Sequence, residues 1–211
     1  MILLTQYLPD ADQNELDFFL SLCTSARRDS LSDAKNKNYA KASLCGEMLA
    51  KKGISEMLNI PVYDIDIMKN EKGKPFAYKN GLIIQGVYFS ISHSGNYALC
   101  ALSDRLIGAD IEKLKPVKKY VSEKFCTEKE AVYLDGAQNE AEYTKRFFAL
   151  WTLKESYLKA LGTGFSGGLK SVEFDISHSF DSVKSSNSQY DFSINGTVNG
   201  YTISICERLD K

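Results

Sequence analysis

Four charged residues in two segments of the chain have the types and spacing to act together. Asp110 and Glu112 are one residue apart, and Glu155 and Lys159 are four apart. On a strand, residues i and i+2 project to the same face, which would set the first two carboxylates side by side. On a helix, i and i+4 lie one turn apart on one face. Neighbouring carboxylates repel and want a cation or a proton between them. Three carboxylates and an ammonium from two elements could hold one divalent cation against a phosphate, and hard oxygen ligands suit Mg²⁺. Each pair also has a plainer reading. The acids would be a solvated strand end, and Glu155 with Lys159 a surface ion pair worth about 0.3–0.5 kcal/mol. Trp151, one turn before Glu155, argues against a purely solvated stripe. Lys154 is adjacent but points about 100° away around the helix.

A second constellation is Ser90-Ile91-Ser92-His93-Ser94-Gly95, with hydroxyls and an imidazole at a strand end before a glycine turn. Such a loop can donate several hydrogen bonds to a phosphate, or it is simply a polar hairpin turn. Ile176-Ser177-His178-Ser179 repeats the pattern without the glycine, and of the two histidines His93 is the functional candidate. Gly73-Lys74-Pro75 is a turn carrying one cation, and Arg27, Arg28, Lys35 and Lys37 make a basic N-terminal region.

The elements that must position these groups follow from periodicity. Leu16, Phe19, Leu20 and Cys23 recur at helical spacing, predicting a helix over 12–24. A second helix is expected over 39–52, ended by Gly53, with 54–58 adding a turn before Pro61. A short strand at 65–67 precedes a turn at 71–75. Residues 87–92 and 97–102 read as a hairpin, continued by a third strand at 106–111. Helices are then expected at 117–123, 128–134 and 142–161, and strands at 171–176, 190–194 and 201–206, with a mobile serine-rich loop at 177–189. Helices followed by a small antiparallel sheet thus occur twice. The expected fold class is α+β with two similar halves, 1–105 and 106–211, and a site in the cleft between them.

Composition narrows the function classes. The 211 residues carry a net charge of −1, so no bulk field recruits nucleic acid or an anionic membrane. No run approaches the roughly 20 apolar residues of a membrane helix. The N-terminus has no basic region typical of a signal peptide. Five scattered cysteines without a CxxC pair read as reduced, buried thiols of a cytoplasmic protein.

In order and spacing, these motifs resemble the Sfp-type 4′-phosphopantetheinyl transferases. The resemblance rests on Gly73-Lys74-Pro75, on Phe89 to Gly95, on Ile107-Gly108-Ala109-Asp110-Ile111-Glu112, on Phe125 to Glu130 and on Trp151 to Gly164, and it covers roughly residues 25–176. It implies a pseudodimer in which 1–105 serves the nucleotide of coenzyme A, and 106–211 serves the metal and a carrier protein. The implied reaction moves the phosphopantetheine arm of coenzyme A, as substrate, to a serine of an acyl or peptidyl carrier protein, releasing adenosine 3′,5′-bisphosphate. By resemblance Asp110, Glu112 and Glu155 would hold Mg²⁺, with Mn²⁺ as the alternative. Lys159, Ser92 and His93 would contact phosphates, and Lys74 with Pro75 would line the nucleotide end. Arg27 and Ser43 align with contacts to the 3′-phosphate. Ser30 stands where a second cation is expected, with Lys35, Lys37 and Lys41 nearby. Residues 162–191 would lie where the carrier docks. The general base would be Glu155, directly or through a water, or Glu130. A monomer is expected. The rivals are another Mg²⁺-dependent phosphotransferase, against which stands the lack of a phosphate-cradling Gly-x-x-x-x-Gly-Lys-Ser/Thr loop, and a non-catalytic module that binds coenzyme A or a carrier protein.

Overall fold

The computed structural model describes residues 1–177, 179–195, 198 and 200–210, excluding the side chains of residues 165 and 195. His178 lies outside the described residues. The chain forms two compact units, Met1–Asp104 and Arg105–Lys211.

In the first unit, strand β1 (Ile2–Tyr7) precedes helices α1 (Gln13–Ser21), α2 (Ser25–Ser32) and α3 (Lys37–Leu58). Asp12, Thr24 and Asn36 cap the three helices, each side chain accepting a backbone N–H of the first turn. Strands β2 (Asp66–Lys69), β3 (Pro75–Lys79) and β4 (Leu82–Ile83) make one small antiparallel sheet. Strands β5 (Tyr88–Ser94) and β6 (Tyr97–Ser103) form the expected hairpin, paired from Tyr88↔Ser103 to Ser94↔Tyr97. Gly95, at φ 54°, takes the first position of the two-residue turn, where a side chain would be strained.

Three features differ from the periodicity reading. β1 was not expected, yet it pairs antiparallel with β6 along its whole length and completes the sheet β1-β6-β5. α2 was also not expected, because Leu31 is its only buried residue and gives no periodic stripe. Gly53 does not end α3, which runs on to Leu58 and stops at Asn59 in the left-handed region, φ 53°. Gly46 and Gly53 instead let the helix lie close to the sheet. A Cβ at Gly46 would stand 2.4 Å from Ile91 Cγ2, and one at Gly53 2.6 Å from Leu102 Cδ1. Gly46→Ala is therefore expected to destabilise the protein by about 1–3 kcal/mol through overpacking, despite its better helix propensity. Chemical denaturation checks this, and an unchanged or raised midpoint would contradict it.

In the second unit, β7 (Ile107–Lys113) is followed by a short 3₁₀ helix at Lys119–Lys124, by α4 (Glu128–Asp135) and by α5 (Glu140–Leu161). The strands β8 (Phe174–Ile176), β9 (Val183–Ser185), β10 (Tyr190–Asn195) and β11 (Tyr201–Arg208) complete it. β7 does not continue the first unit's meander. It pairs with β11, with Ser204 opposite Asp110, in the sheet β10-β11-β7. The serine-rich stretch is not a bare loop, because β9 within it pairs with β8. α5 begins at Asn139, whose side chain caps Glu142 N, and ends at Gly162, φ 69°, whose N–H bonds back to Leu158 O. Its apolar side packs with Phe125, Phe174 and Phe192 in the unit's core. All five cysteines are buried. Among the described residues, no helix is long and apolar enough to cross a membrane.

Candidate functional site

The acid cluster is built by a close approach of strand to helix. A Cβ at Gly108 would fall 1.9 Å from Ser156 O and 2.5 Å from Ala160 N, so β7 touches the backbone of α5 there and only glycine fits. Further along β7 on the same face come Asp110 and Glu112. On α5 the neighbours of that contact are Glu155 and Lys159. Lys159 Nζ lies 2.6 Å from Asp110 Oδ1, and the Asp110 carboxylate is buried. Trp151, packed edge-on to Phe125, seats this stretch of α5.

Glu155 is the electrostatically costly member. Its Oε1 is buried and accepts no hydrogen bond among the described residues. Burial foremost, then the charges of Asp110 and Glu112, push its carboxyl up to about 7, against the pull of Lys159. A divalent cation would relieve the repulsion and ligate the unpartnered oxygen, so this donor set fits one. Among the described residues, no three His, Cys, Asp or Glu side chains already stand as a metal cage. Mg²⁺ does not require one, since it is commonly held by one or two carboxylates together with substrate phosphates and water.

Glu130 and Lys154 form a different pair, both fully buried. Lys154 Nζ lies 2.8 Å from Glu130 Oε2 and donates to Leu169 O at 2.9 Å and Val172 O at 2.8 Å. Glu130 also accepts Thr127 N at 2.8 Å, closing the capping box of α4, and Phe174 N at 2.9 Å. The pair fastens α4, α5 and β8 to one another.

The first unit holds the other candidates. Arg27 donates from Nη2 to Ser43 Oγ at 2.8 Å and from Nε to Glu47 Oε2 at 2.9 Å, so α2 and α3 present a braced guanidinium. Lys74 sits in the β2–β3 turn, where Asn70 Oδ1 accepts its backbone N–H at 2.9 Å. Lys74 and Pro75 line a cavity of about 200 Å³ with Phe76, Ile84, Val87 and Phe89. Strand alternation sends Ser92 and His93 to opposite faces of β5. His93 lies on the face of Ile91, against α3, where its ring meets Tyr39 edge-on at 4.9 Å.

Comparison with known proteins decides what this arrangement belongs to. Residues 106–206 match the 4′-phosphopantetheinyl transferase superfamily, and residues 9–105 match a family described as 4′-phosphopantetheinyl transferase, N-terminal. The 4′-phosphopantetheinyl transferase Sfp of Bacillus subtilis (strain 168) is 32% identical over 180 residues, covering 79% of this chain and 78% of that protein. The chain belongs to the 4′-phosphopantetheinyl transferase superfamily. The 4′-phosphopantetheinyl transferase gsp of Aneurinibacillus migulanus is 34% identical over 155 residues, which are 74% of this chain and 62% of its own length. The L-aminoadipate-semialdehyde dehydrogenase-phosphopantetheinyl transferase of Pongo abelii is 34% identical over 147 residues, 65% of this chain and 48% of that protein. The chain thus spans between about half and about four-fifths of these relatives.

Within this chain of the superfamily, the structure gathers Asp110, Glu155 and Lys159 into one cluster, with Glu112 acting on it through its charge. It joins Arg27 to Ser43, and Lys74 to Pro75. It places Glu130 apart, with Lys154. Sequence reasoning missed Glu47, Tyr39 and the part played by Lys154, none of which carries a local signal. Gly108 did carry one, a glycine inside a strand directly before the acids.

Proposed function

We propose that the protein transfers the 4′-phosphopantetheine arm of coenzyme A to a serine hydroxyl of an apo acyl or peptidyl carrier protein, in a Mg²⁺-dependent reaction. The observation that carries this is the Asp110–Glu112–Glu155–Lys159 cluster, with its unpartnered buried oxygen, in a chain of this superfamily. Asp110, Glu112 and Glu155 would hold the divalent cation, which supplies charge neutralisation at the pyrophosphate oxygens.

The carrier serine Oγ attacks the phosphorus next to the pantetheine. The pyrophosphate P–O bond breaks, and adenosine 3′,5′-bisphosphate leaves with the bonding pair. Glu155 accepts the serine proton. A carboxylate in this position can take the proton directly or through one water. Glu130 is the weaker candidate, because its oxygens already serve Thr127, Phe174 and Lys154. Lys159 neutralises charge on the leaving phosphate. Arg27, braced by Glu47 and Ser43, takes the 3′-phosphate. His93 would contribute a phosphate contact from β5, with Ser92 on the strand's other face able to reach a phosphate only through its backbone, and Lys74 with Pro75 would border the nucleotide. The carrier would dock on the second unit. We further infer a cytoplasmic monomer.

The reaction is tested by chromatography of nucleotide products. Adenosine 3′,5′-bisphosphate should appear only when coenzyme A, Mg²⁺ and an apo carrier are all present. Coenzyme A that binds in calorimetry but never yields product with several carriers would favour a binding module. Arg27→Ala is expected to raise KM for coenzyme A about tenfold while changing kcat less, since it removes a contact remote from the reacting phosphorus. A pure kcat loss would place Arg27 elsewhere.

A further inference from the structure

The contact between Lys159 and Asp110 competes with the role just given to Asp110. Lys159 Nζ stands 2.6 Å from Asp110 Oδ1. At that distance the ammonium occupies one of the carboxylate's oxygens and offsets much of its charge. We propose that the acid cluster is loaded by exchange: the divalent cation displaces Lys159 from Asp110, and the displaced ammonium is delivered to the pyrophosphate. The inference rests on the metal reading of the cluster and adds to it an order of events, cation first and phosphate second.

Three observations carry it. Asp110 is the fixed partner, because it sits in the middle of β7, paired to Ser204 of β11, and its side chain is only 6% exposed. Lys159 is the movable partner, a four-carbon stem whose side chain is 29% exposed and has an outlet to solvent. Glu155, one helical turn from Lys159, keeps a buried Oε1 that accepts no hydrogen bond among the described residues. The ammonium on Asp110 therefore leaves part of the cluster's demand for positive charge unmet, and a divalent cation meets more of it. Two cations crowding one carboxylate in a poorly solvated site repel strongly, so binding of one drives off the other. The lysine then stands beside the cluster, where an anion bound to the divalent cation comes within its reach.

The exchange makes a prediction that an ordinary auxiliary cation does not. Removing the lysine's charge should strengthen cation binding in the absence of any phosphate. Mn²⁺ alone serves as probe, its free concentration read by electron paramagnetic resonance, with the wild-type chain and with Lys159→Gln, Lys159→Arg and Asp110→Asn. Circular dichroism confirms that each is folded. Lys159→Gln is expected to bind Mn²⁺ about three- to tenfold more tightly than wild type, and Lys159→Arg within about twofold of it. Asp110→Asn should lose most of the affinity. Equal or weaker binding by Lys159→Gln, with the Asp110→Asn loss intact, overturns the exchange and leaves the metal site standing. Equal tightening by Gln and Arg overturns it too, since charge would not be the cause. Wild-type affinity in Asp110→Asn would remove the metal site itself, and the exchange with it.

Discussion

Glu130→Ala should lower the protein's stability by about 3–5 kcal/mol, the usual result of removing one partner of a buried ion pair. Lys154→Ala should do the same. Both side chains are fully buried, so whichever charge remains has no water to turn to. The loss at Glu130 is compounded because Thr127 N and Phe174 N lose their acceptor. Lys154→Ala likewise strands the carbonyls of Leu169 and Val172. Urea denaturation of Glu130→Gln, of Lys154→Met and of the double variant Glu130→Gln/Lys154→Met gives the coupling. The double variant should be far less damaged than the sum of the singles, because it leaves no lone charge behind. Strict additivity would contradict the pairing. Kinetics add a second check. Glu130→Gln, assayed cold where it remains folded, should transfer at a rate within a few-fold of wild type. A fully stable Glu130→Gln without activity would make Glu130 the base after all.

Glu155→Gln should cut kcat by on the order of a thousandfold or more, because in the proposed mechanism Glu155 would serve as cation ligand and as proton acceptor. In chelator, the same change should make the protein more stable, and the pH dependence gives the sign. The Glu155 carboxyl is raised from 4.5 to about 7, so the folded state holds a proton between those values that the unfolded state has released. Stability therefore falls as pH rises through that window, and a neutral amide escapes the fall. Glu155→Gln should match wild type at pH 4.5 and exceed it by about 1–2 kcal/mol at pH 8, a figure reduced from the full shift because the side chain is partly solvated. Thermal melts at the two pH values read this out. A variant less stable than wild type at pH 8 would mean that Glu155 is a satisfied structural group rather than a strained functional one.

Comparing these residues with the sequence shows where pattern is enough. The spacing of Asp110 and Glu112, and of Glu155 and Lys159, announced their shared faces because strand and helix periods are fixed. The hairpin around Gly95 was legible for the same reason, through its turn residues. Contacts made at long range were not. Nothing near Lys154 reveals that its partner is Glu130, on another helix, and nothing near Arg27 points to Glu47. Gly53 misled, because a glycine admitted for close packing on Leu102 looks in sequence like a helix stop. β1 was hidden by its uniform apolar start, which shows no alternation, and its partner β6 lies some ninety residues away in register from Ile2↔Leu102 to Tyr7↔Tyr97. β7 lay where a third meander strand was expected, but a strand's sheet is set by pairing, and β11 claims it.

The central claim, phosphopantetheine transfer by the Asp110–Glu112–Glu155–Lys159 cluster, is tested most directly by the intact mass of a carrier protein. An apo carrier is incubated with coenzyme A, Mg²⁺ and either the wild type or Glu155→Gln, and then weighed by mass spectrometry. The carrier should gain one phosphopantetheine with the wild type, a gain lost on chelation and absent with Glu155→Gln. A carrier whose mass is unchanged by wild type, across acyl and peptidyl carriers alike, or one modified equally well by Glu155→Gln, would contradict it.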